Sequence, residues 1–419
     1  MYHIISYEQI DRAGWSEFVK ASPTGTWFQT PEAYDFFVSM PELFQPFVVA
    51  IANNPSLSEA QHSITPSLHE QVLRAICVGY VTKEKNPIKQ FFTRRAIVLG
   101  GPALADDATD EEVNALLEAV KTKTRHLQSL NSDLHETTHQ SACMQAFRQP
   151  EDLSHIAVEQ QDASQKHAAL TKNTKNIFYC YEPIYIETRN FNDYSRWRKA
   201  FETAGFSYQP HLNFHVHTDQ PWDDIETNIG KHRRKYIRLS FRDGATIEDN
   251  PTIEQVRSYY ELLQELYCTK VKMPLPSWSF FEKLYQLDSC KYLLVMYNGQ
   301  VVGGSTCVLL KKSPITKDQS PITSAGGVYE WYACGKDGVF KNIHPSSVTK
   351  YAGMKYACDN GYAVFDMMGA GKPDEEYGVR DFKAEFGGEL VEHGRFLCIT
   401  KSVLYQIGVI GINTLKKIK

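Results

Sequence analysis

The sequence predicts an α/β (α+β) fold made of two similarly built domains, and three observations predict it. The chain has 419 residues, too many for one ordinary core and suited to two domains of similar size. Strand-like and helix-like apolar patterns alternate along it. One order of elements (strand pair, strand, helix, strand) also occurs twice, about 200 residues apart.

The first half opens with a strand, "YHIISY", a helix, "DRAGWSEFVKAS", and a loop, "PTGTWFQTPEAYDFF". Strands "FQPFVVAIAN" and "LRAICVGYVTK" follow, separated by a polar surface insertion at 54–71. "RRAIVLGGPAL" is the next strand. "DEEVNALLEAVKTKTRHLQSL" reads as a helix, with acids in its first turn and apolar residues at helical spacing. Residues 132–172 are polar and irregular, and "NIFYCYEPIYIET" closes the half as a strand.

The second half repeats the order. "YLLVMYNGQVVGGSTCVLL" is a hairpin turning at Asn298-Gly299. "SAGGVYEWYACG" is a strand, and a helix runs from Pro345 to a stop at Gly361. "YAVFDMMGAG" is the strand after it. The join falls near residue 190, which gives domains 1–190 and 191–419.

Composition narrows the function. Net charge is −4, so any attraction to polyanions must be local, and DNA is not an expected partner. Nine cysteines are scattered from Cys77 to Cys398 without a CxxC motif, as expected of reduced thiols rather than a disulfide frame or zinc site. No signal peptide and no apolar run of about 20 residues is visible, so a cytoplasmic protein is expected. The final segment, "SVLYQIGVIGINTLKKIK", has an apolar face and lysines that suit the inner surface of a membrane or docking on its own domain.

Two stretches carry candidate chemistry. Residues 224–243 read as one helix, with Ile225, Ile229, His232, Tyr236 and Leu239 on one face. Lys231, Arg234, Lys235, Arg238 and Arg242 lie on the other, either as a solvated face or, since they crowd enough to repel one another, as a site for an anion such as a phosphate. The second stretch, "GYAVFDMMGAGKPDEEYGVRDFKAEFGG", is a strand followed by a loop and a short helix, and ligands bind beyond strand C-termini in open α/β sheets. There Asp366 interrupts an apolar strand, and Tyr377, Arg380 and Lys383 follow it. Phe382 and Phe386 would anchor the helix, Gly387-Gly388 would turn the chain, and Lys383 would face the cleft. A purely structural turn is the alternative. His211, His215 and His217 could touch a metal, but no carboxylate or cysteine stands at ligand spacing, so a plain strand is favoured. Lys350 and Gly353 in "KYAGMK" read as ordinary helix residues, since the second small residue of a CoA-binding turn is missing.

The strand ending in "FD", the glycine-bearing loop and "YGVRDFKAEFGGE" resemble the C-terminal signature of FemAB-like peptidyltransferases. Lys231 to Arg238 resemble the family's basic helix, "TWFQTPEAYDFF" its N-terminal segment, and "NGQVVGGS" its central hairpin. The resemblance implies tandem GNAT-like acyltransferase domains with a cleft between them. It implies transfer of an aminoacyl or acyl group to an amine of a cell-envelope precursor, a peptidoglycan peptide or amino sugar. The donor would be aminoacyl-tRNA or acyl-CoA, with no permanently bound cofactor. It places Lys383 at the acyl carbonyl; on chemical grounds Asp366 or Tyr377 could orient that lysine or accept the amine's proton. Lys231, Arg234, Lys235, Arg238 and Arg380 would hold substrate phosphates. Phe36, Phe37 and Val38 stand where some members carry a diphosphate-binding lysine, and the long helical arm of some members is missing. An acyl-CoA N-acyltransferase of envelope polysaccharide synthesis and a non-catalytic binding module are the alternatives.

Overall fold

The computed structural model describes residues 2–53, 72–127, 182–312 and 326–418. The insertion at 54–71, the irregular stretch 132–172 and the start of the "NIFYCYEPIYIET" strand lie outside the described residues. In chain order the elements are β1 (Tyr2–Ile5), α1 (Arg12–Ala21), α2 (Pro31–Val38), β2 (Phe44–Asn53), β3 (Val72–Thr82), α3 (Pro87–Thr93), β4 (Ala96–Gly100), β5 (Ala103–Leu104), α4 (Asp110–His126), β6 (Tyr185–Asn190), α5 (Arg198–Thr203) and β7 (Ser207–Gln209). They continue with β8 (Leu212–His217), α6 (Trp222–Asn228), α7 (Lys231–Arg242), β9 (Thr246–Glu248), α8 (Ile253–Leu266), α9 (Trp278–Tyr285), β10 (Cys290–Tyr297), β11 (Gln300–Leu310), β12 (Gly327–Gly335) and α10 (Pro345–Asp359). The last are β13 (Val364–Gly369), α11 (Gly378–Ala384), β14 (Glu389–Glu392), β15 (Arg395–Ile399) and α12 (Ser402–Ile418).

The strands form two sheets, ordered β1-β2-β3-β4-β6-β15-β7 (with β5 beside β3) and β14-β8-β13-β12-β11-β10-β9. The repeat is topological. Antiparallel β2/β3 matches antiparallel β10/β11. Parallel β4/β6 matches parallel β12/β13, and the second pair is joined across α10. Local signals behave as the sequence demands. Asn298 and Gly299 both have positive φ in the β10–β11 turn, and Thr109 and Glu112 form a capping box on α4.

The sheets do not divide at residue 190, which ends β6. Beyond it, β7 and β15 still belong to the first sheet, while β8 and β14 belong to the second. β7 pairs β15 through Arg395↔Gln209, and β8 pairs β14 through Leu212↔Glu392, in one unbroken antiparallel register. Residues 207–215 and 389–397 therefore form a single ribbon that leaves one sheet and enters the other. A shared core reinforces it. Phe28 of the first half meets Trp331 edge-on at 4.9 Å, and Phe36 meets Phe280 at 5.1 Å. Aromatic pairs of this kind add about 0.5–1.5 kcal/mol each beyond burial.

The expected single helix at 224–243 is two. Gly230, with ψ 139, breaks it, and its N–H bonds to the Glu385 carbonyl at 2.7 Å. The restart changes the helical phase, so Ile237 and Ser240 are the buried residues of α7 rather than Tyr236 and Leu239. Lys350 is not an ordinary helix residue either. It is buried and ion-paired with buried Glu330, while a Cβ on Gly353 would lie 2.4 Å from the Phe365 ring.

Candidate functional site

Where the ribbon passes between the sheets, a cavity of ≈380 Å³ opens. Its polar lining is Arg95, Arg189, Asn190, His211, Asn213 and Arg395; Tyr267, Trp331 and Tyr332 supply aromatic surface, and Met368 and Gly369 a further part of the wall. Strand alternation puts His211 and Asn213 on the same side of the β8 segment.

Glu187 ties two of the arginines together, 2.8 Å from Arg189 Nε and 2.9 Å from an Arg395 guanidinium nitrogen. These cations hold the Glu187 carboxyl below its ordinary pKa although burial opposes them. Arg395 also donates to His211 Nε2 at 2.8 Å, so the imidazole is neutral, with its proton on Nδ1 facing the Leu212 carbonyl at 3.3 Å. Burial and the Arg395 charge lower the His211 pKa to about 4. Three residues of the lining each also carry a buried polar atom with no partner among the described residues: Arg95 Nε, Asn190 Oδ1 and Asn213 Nδ2. The Asn190 amide nitrogen donates to the His393 carbonyl at 3.1 Å, which aims its oxygen the other way.

Asp366 and Lys383 shape the cavity wall. Asp366, 1% exposed, accepts from the Met368 N–H at 2.6 Å, and its other oxygen lies 3.3 Å from His215 Nε2. That carboxylate raises the His215 pKa against the burial that would lower it. Lys383 Nζ reaches the carbonyls of Met367, Met368 and Gly369 at 2.5, 3.3 and 2.9 Å. Burial, with the nearby Lys350 charge, lowers its pKa to about 7. The two side chains grip a kink in which Met368 adopts φ 60, a conformation that costs a non-glycine residue of order 1–3 kcal/mol.

The expected site residues are only partly brought together. Asp366 and Lys383 meet at the kink, but Lys383 points into main-chain carbonyls and does not line the cavity. Phe386 is fully buried, whereas Phe382 is half-buried under the Arg233 guanidinium at 4.6 Å. Tyr377, 40% exposed, caps α11 and packs on Gly371. Arg380 braces the loop before α11 by donating to the carbonyls of Lys372 (2.6 Å) and Glu375. Lys231, Lys235 and Arg238 are exposed on α7, Arg234 is half-buried there, and none of them lines the cavity. The strand histidines are not surface groups throughout. His215 is largely buried against Asp366, and only His217 is exposed, 3.1 Å from Glu389. Among the described residues no cluster of three metal-binding side chains occurs.

Sequence reasoning missed Arg95, Arg189 and Arg395. Each stands in or beside a strand, and only the pairing of β4, β6 and β15 brings them together. An arginine interrupting a buried strand was the one available signal.

Two sheets, each with an antiparallel strand pair leading into a parallel pair, and a cleft at their junction define a tandem GNAT-like α/β protein. No family model and no curated protein matches the chain. Among solved structures, FemX matches over 97% of this chain and 99% of its own, with a TM-score of 0.57 and 14% identity. This chain therefore has the FemX fold, as the FemAB-like resemblance implied. A tandem GNAT protein from the clavulanic acid biosynthesis pathway matches over 95% of this chain and 98% of its own, with a TM-score of 0.43 and 8% identity. L-PGS from Bacillus licheniformis matches over 80% and 85%, with a TM-score of 0.42 and 12% identity.

Proposed function

We propose that this chain is an acyltransferase that moves an aminoacyl or acyl group onto an amine of a cell-envelope precursor in the cavity between its two sheets. The observation that carries the reading is the cavity of ≈380 Å³ at the junction of the sheets, with Asn190, Asn213 and three arginines among its lining residues. The FemX fold over nearly the whole chain supports the reaction class. The amine nitrogen attacks the acyl carbonyl carbon, the bond to the donor's ester oxygen or thioester sulfur breaks, and the amine's extra proton leaves with solvent or a nearby base. Holding the two reactants together supplies much of the rate enhancement. The arginines on the same lining, Arg95, Arg189 and Arg395, are cations suited to developing negative charge.

Lys383 and Asp366 act on this reading as positioning residues, through the Met368–Gly369 wall. Tyr377 is the nearest of the three to solvent and remains a candidate proton acceptor. Exposed Lys231, Lys235 and Arg238, with Arg234, are suited to substrate phosphates outside the cavity, and Arg380 to steadying the loop beside it. Among the described residues no helix is long and apolar enough to cross a membrane. Exposed Val403 and Ile407 on α12 nonetheless support a peripheral contact with a membrane carrying the precursor.

Incubation of the protein with aminoacyl-tRNA or acetyl-CoA and an amine acceptor tests the proposal. An amide product that forms with wild type and falls at least tenfold with Asn190→Leu supports it. Equal product with both proteins removes the cavity from the reaction.

A further inference from the structure

We infer that the strap Tyr267–Pro276 makes one part of the cavity an apolar subsite, and that this subsite takes the alkyl or aryl chain of an acyl group. Calling that chain part of the acyl donor rests on the proposed function; its binding does not.

The make-up of the strap gives the first argument. It joins α8 to α9 through a π-helical turn, Tyr267–Val271, followed by Lys272 at φ 55. Both features are uncommon and recur at functional sites. Tyr267, Val271, Met273, Pro274 and Pro276 line the cavity, whereas Lys270 and Lys272 do not. The strap thus gives the cavity its apolar residues and leaves its lysines to solvent.

Exposure gives the second. Val271 is 41% and Met273 62% exposed, although large apolar side chains gain from burial. The strap is held back from folding inward over them. Pro274 and Pro276 fix their own φ angles. Its ends are pinned, one by the Tyr267 ring 6.3 Å from that of Tyr332, the other by the Pro276 carbonyl, which accepts from the Tyr260 hydroxyl at 3.3 Å. Trp331 and Tyr332, nearly parallel at 29°, add aromatic surface to the same lining. The apolar side chains at the cavity are therefore left for a ligand to cover.

Size and charge choose that ligand. A cavity of ≈380 Å³ suits a small molecule. Arg95, Arg189 and Arg395 make the rest of the lining unfit for hydrocarbon, which would strip water from their charges. Of the two reactants in the proposed function, the amine acceptor is polar, and the acyl group is the one that presents an alkyl or aryl chain.

NMR of protein carrying methyl-labelled methionine tests this without any acceptor. Met273 and Met368 both line the cavity, so their methyl signals report its occupancy. Two matched pairs of probes are titrated, hexanamide against acetamide and L-leucinamide against glycinamide. Each buried methylene tightens binding about fourfold. The larger member of at least one pair should therefore bind at least tenfold more tightly and shift both signals, and the pair that responds tells a plain acyl chain from an aminoacyl side chain. Val271→Asp, at an exposed position, should leave the melting temperature unchanged and cut the preference at least fivefold. Met273→Glu, read at Met368, gives a second route should that variant fold poorly. Equal binding within each pair, shifts in neither methionine, or a preference that survives in the folded variants overturns the inference. Apolar binding without any acyl transfer would leave the inference standing and defeat the proposed reaction alone.

Discussion

Lys383→Met should change the pH dependence of stability more than stability itself. In the folded chain the Lys383 pKa is lowered from 10.5 to about 7, chiefly by burial. Unfolded, it returns to its ordinary value, so the unfolded chain binds more protons between these limits. The penalty is absent above pH 10.5, grows as pH falls, and is complete below 7. Linkage puts it at about 4–5 kcal/mol at pH 6.5 and about 1–2 kcal/mol at pH 9.5. Methionine keeps the buried stem, removes this penalty, and forfeits three hydrogen bonds to carbonyls worth about 1–2 kcal/mol each. The opposing terms nearly cancel near neutrality, so the variant should lie within about 2 kcal/mol of wild type there. As pH rises to 9.5 wild type should gain on the variant by about 3 kcal/mol. Urea unfolding of both proteins at pH 6.5, 8 and 9.5 measures this. A difference constant within about 1 kcal/mol would mean that the carbonyls keep Lys383 an ordinary ammonium, and would refute the reasoning.

Phe386→Ala should cost about 3–5 kcal/mol in urea unfolding, and Phe382→Ala clearly less, because only the first ring is fully buried. Equal costs would show that α11 is seated otherwise. Glu187→Gln should lose about 3 kcal/mol by stranding Arg189 and Arg395, with part regained in added phosphate; a loss under 1 kcal/mol would mean solvent already serves those arginines. His211 and His393, both lowered to about 4 when folded, remain neutral while the unfolded chain protonates near 6.5. They should therefore remove stability as pH falls from about 6.5 to 4, and imidazole carbon shifts that titrate near 6.5 in the folded protein would contradict this. Lys231→Glu with Lys235→Glu, both exposed, should leave stability within about 0.5 kcal/mol but weaken a phosphate-bearing substrate. Unfolding of that double variant would make the face structural.

Features encoded by neighbouring residues were legible in the sequence. Asn298-Gly299 fixes its hairpin through local φ, Pro345 opens a helix, and Gly387, at φ 75, turns where its missing Cβ avoids the Asn228 carbonyl. Gly230 misled because an apolar stripe ran past it, and the break depends on the distant Glu385 carbonyl. The ribbon was invisible for the same reason. Nothing near Tyr208 or Phe396 announces their pairing, which is selected only when both sheets assemble. The site follows this division. Asp366 and Lys383 stood out as polar residues in an apolar strand and its loop, but Lys383's target, three carbonyls at a strained Met368, is a tertiary fact. Arg95, Arg189 and Arg395 carry no shared local pattern, and their cluster exists only through the register of β4, β6 and β15.

The central claim is amide formation inside this cavity, and mass spectrometry of the acceptor tests it most directly. Wild-type protein, an amine acceptor, and either aminoacyl-tRNA or acetyl-CoA are combined, and the acceptor mass is followed with time. The account predicts an acceptor heavier by one aminoacyl or acetyl group, linked at nitrogen, with the rate cut at least tenfold by Asn190→Leu and by Arg95→Gln. An unmodified acceptor with both donor classes, or product that forms equally well in both variants, would contradict it.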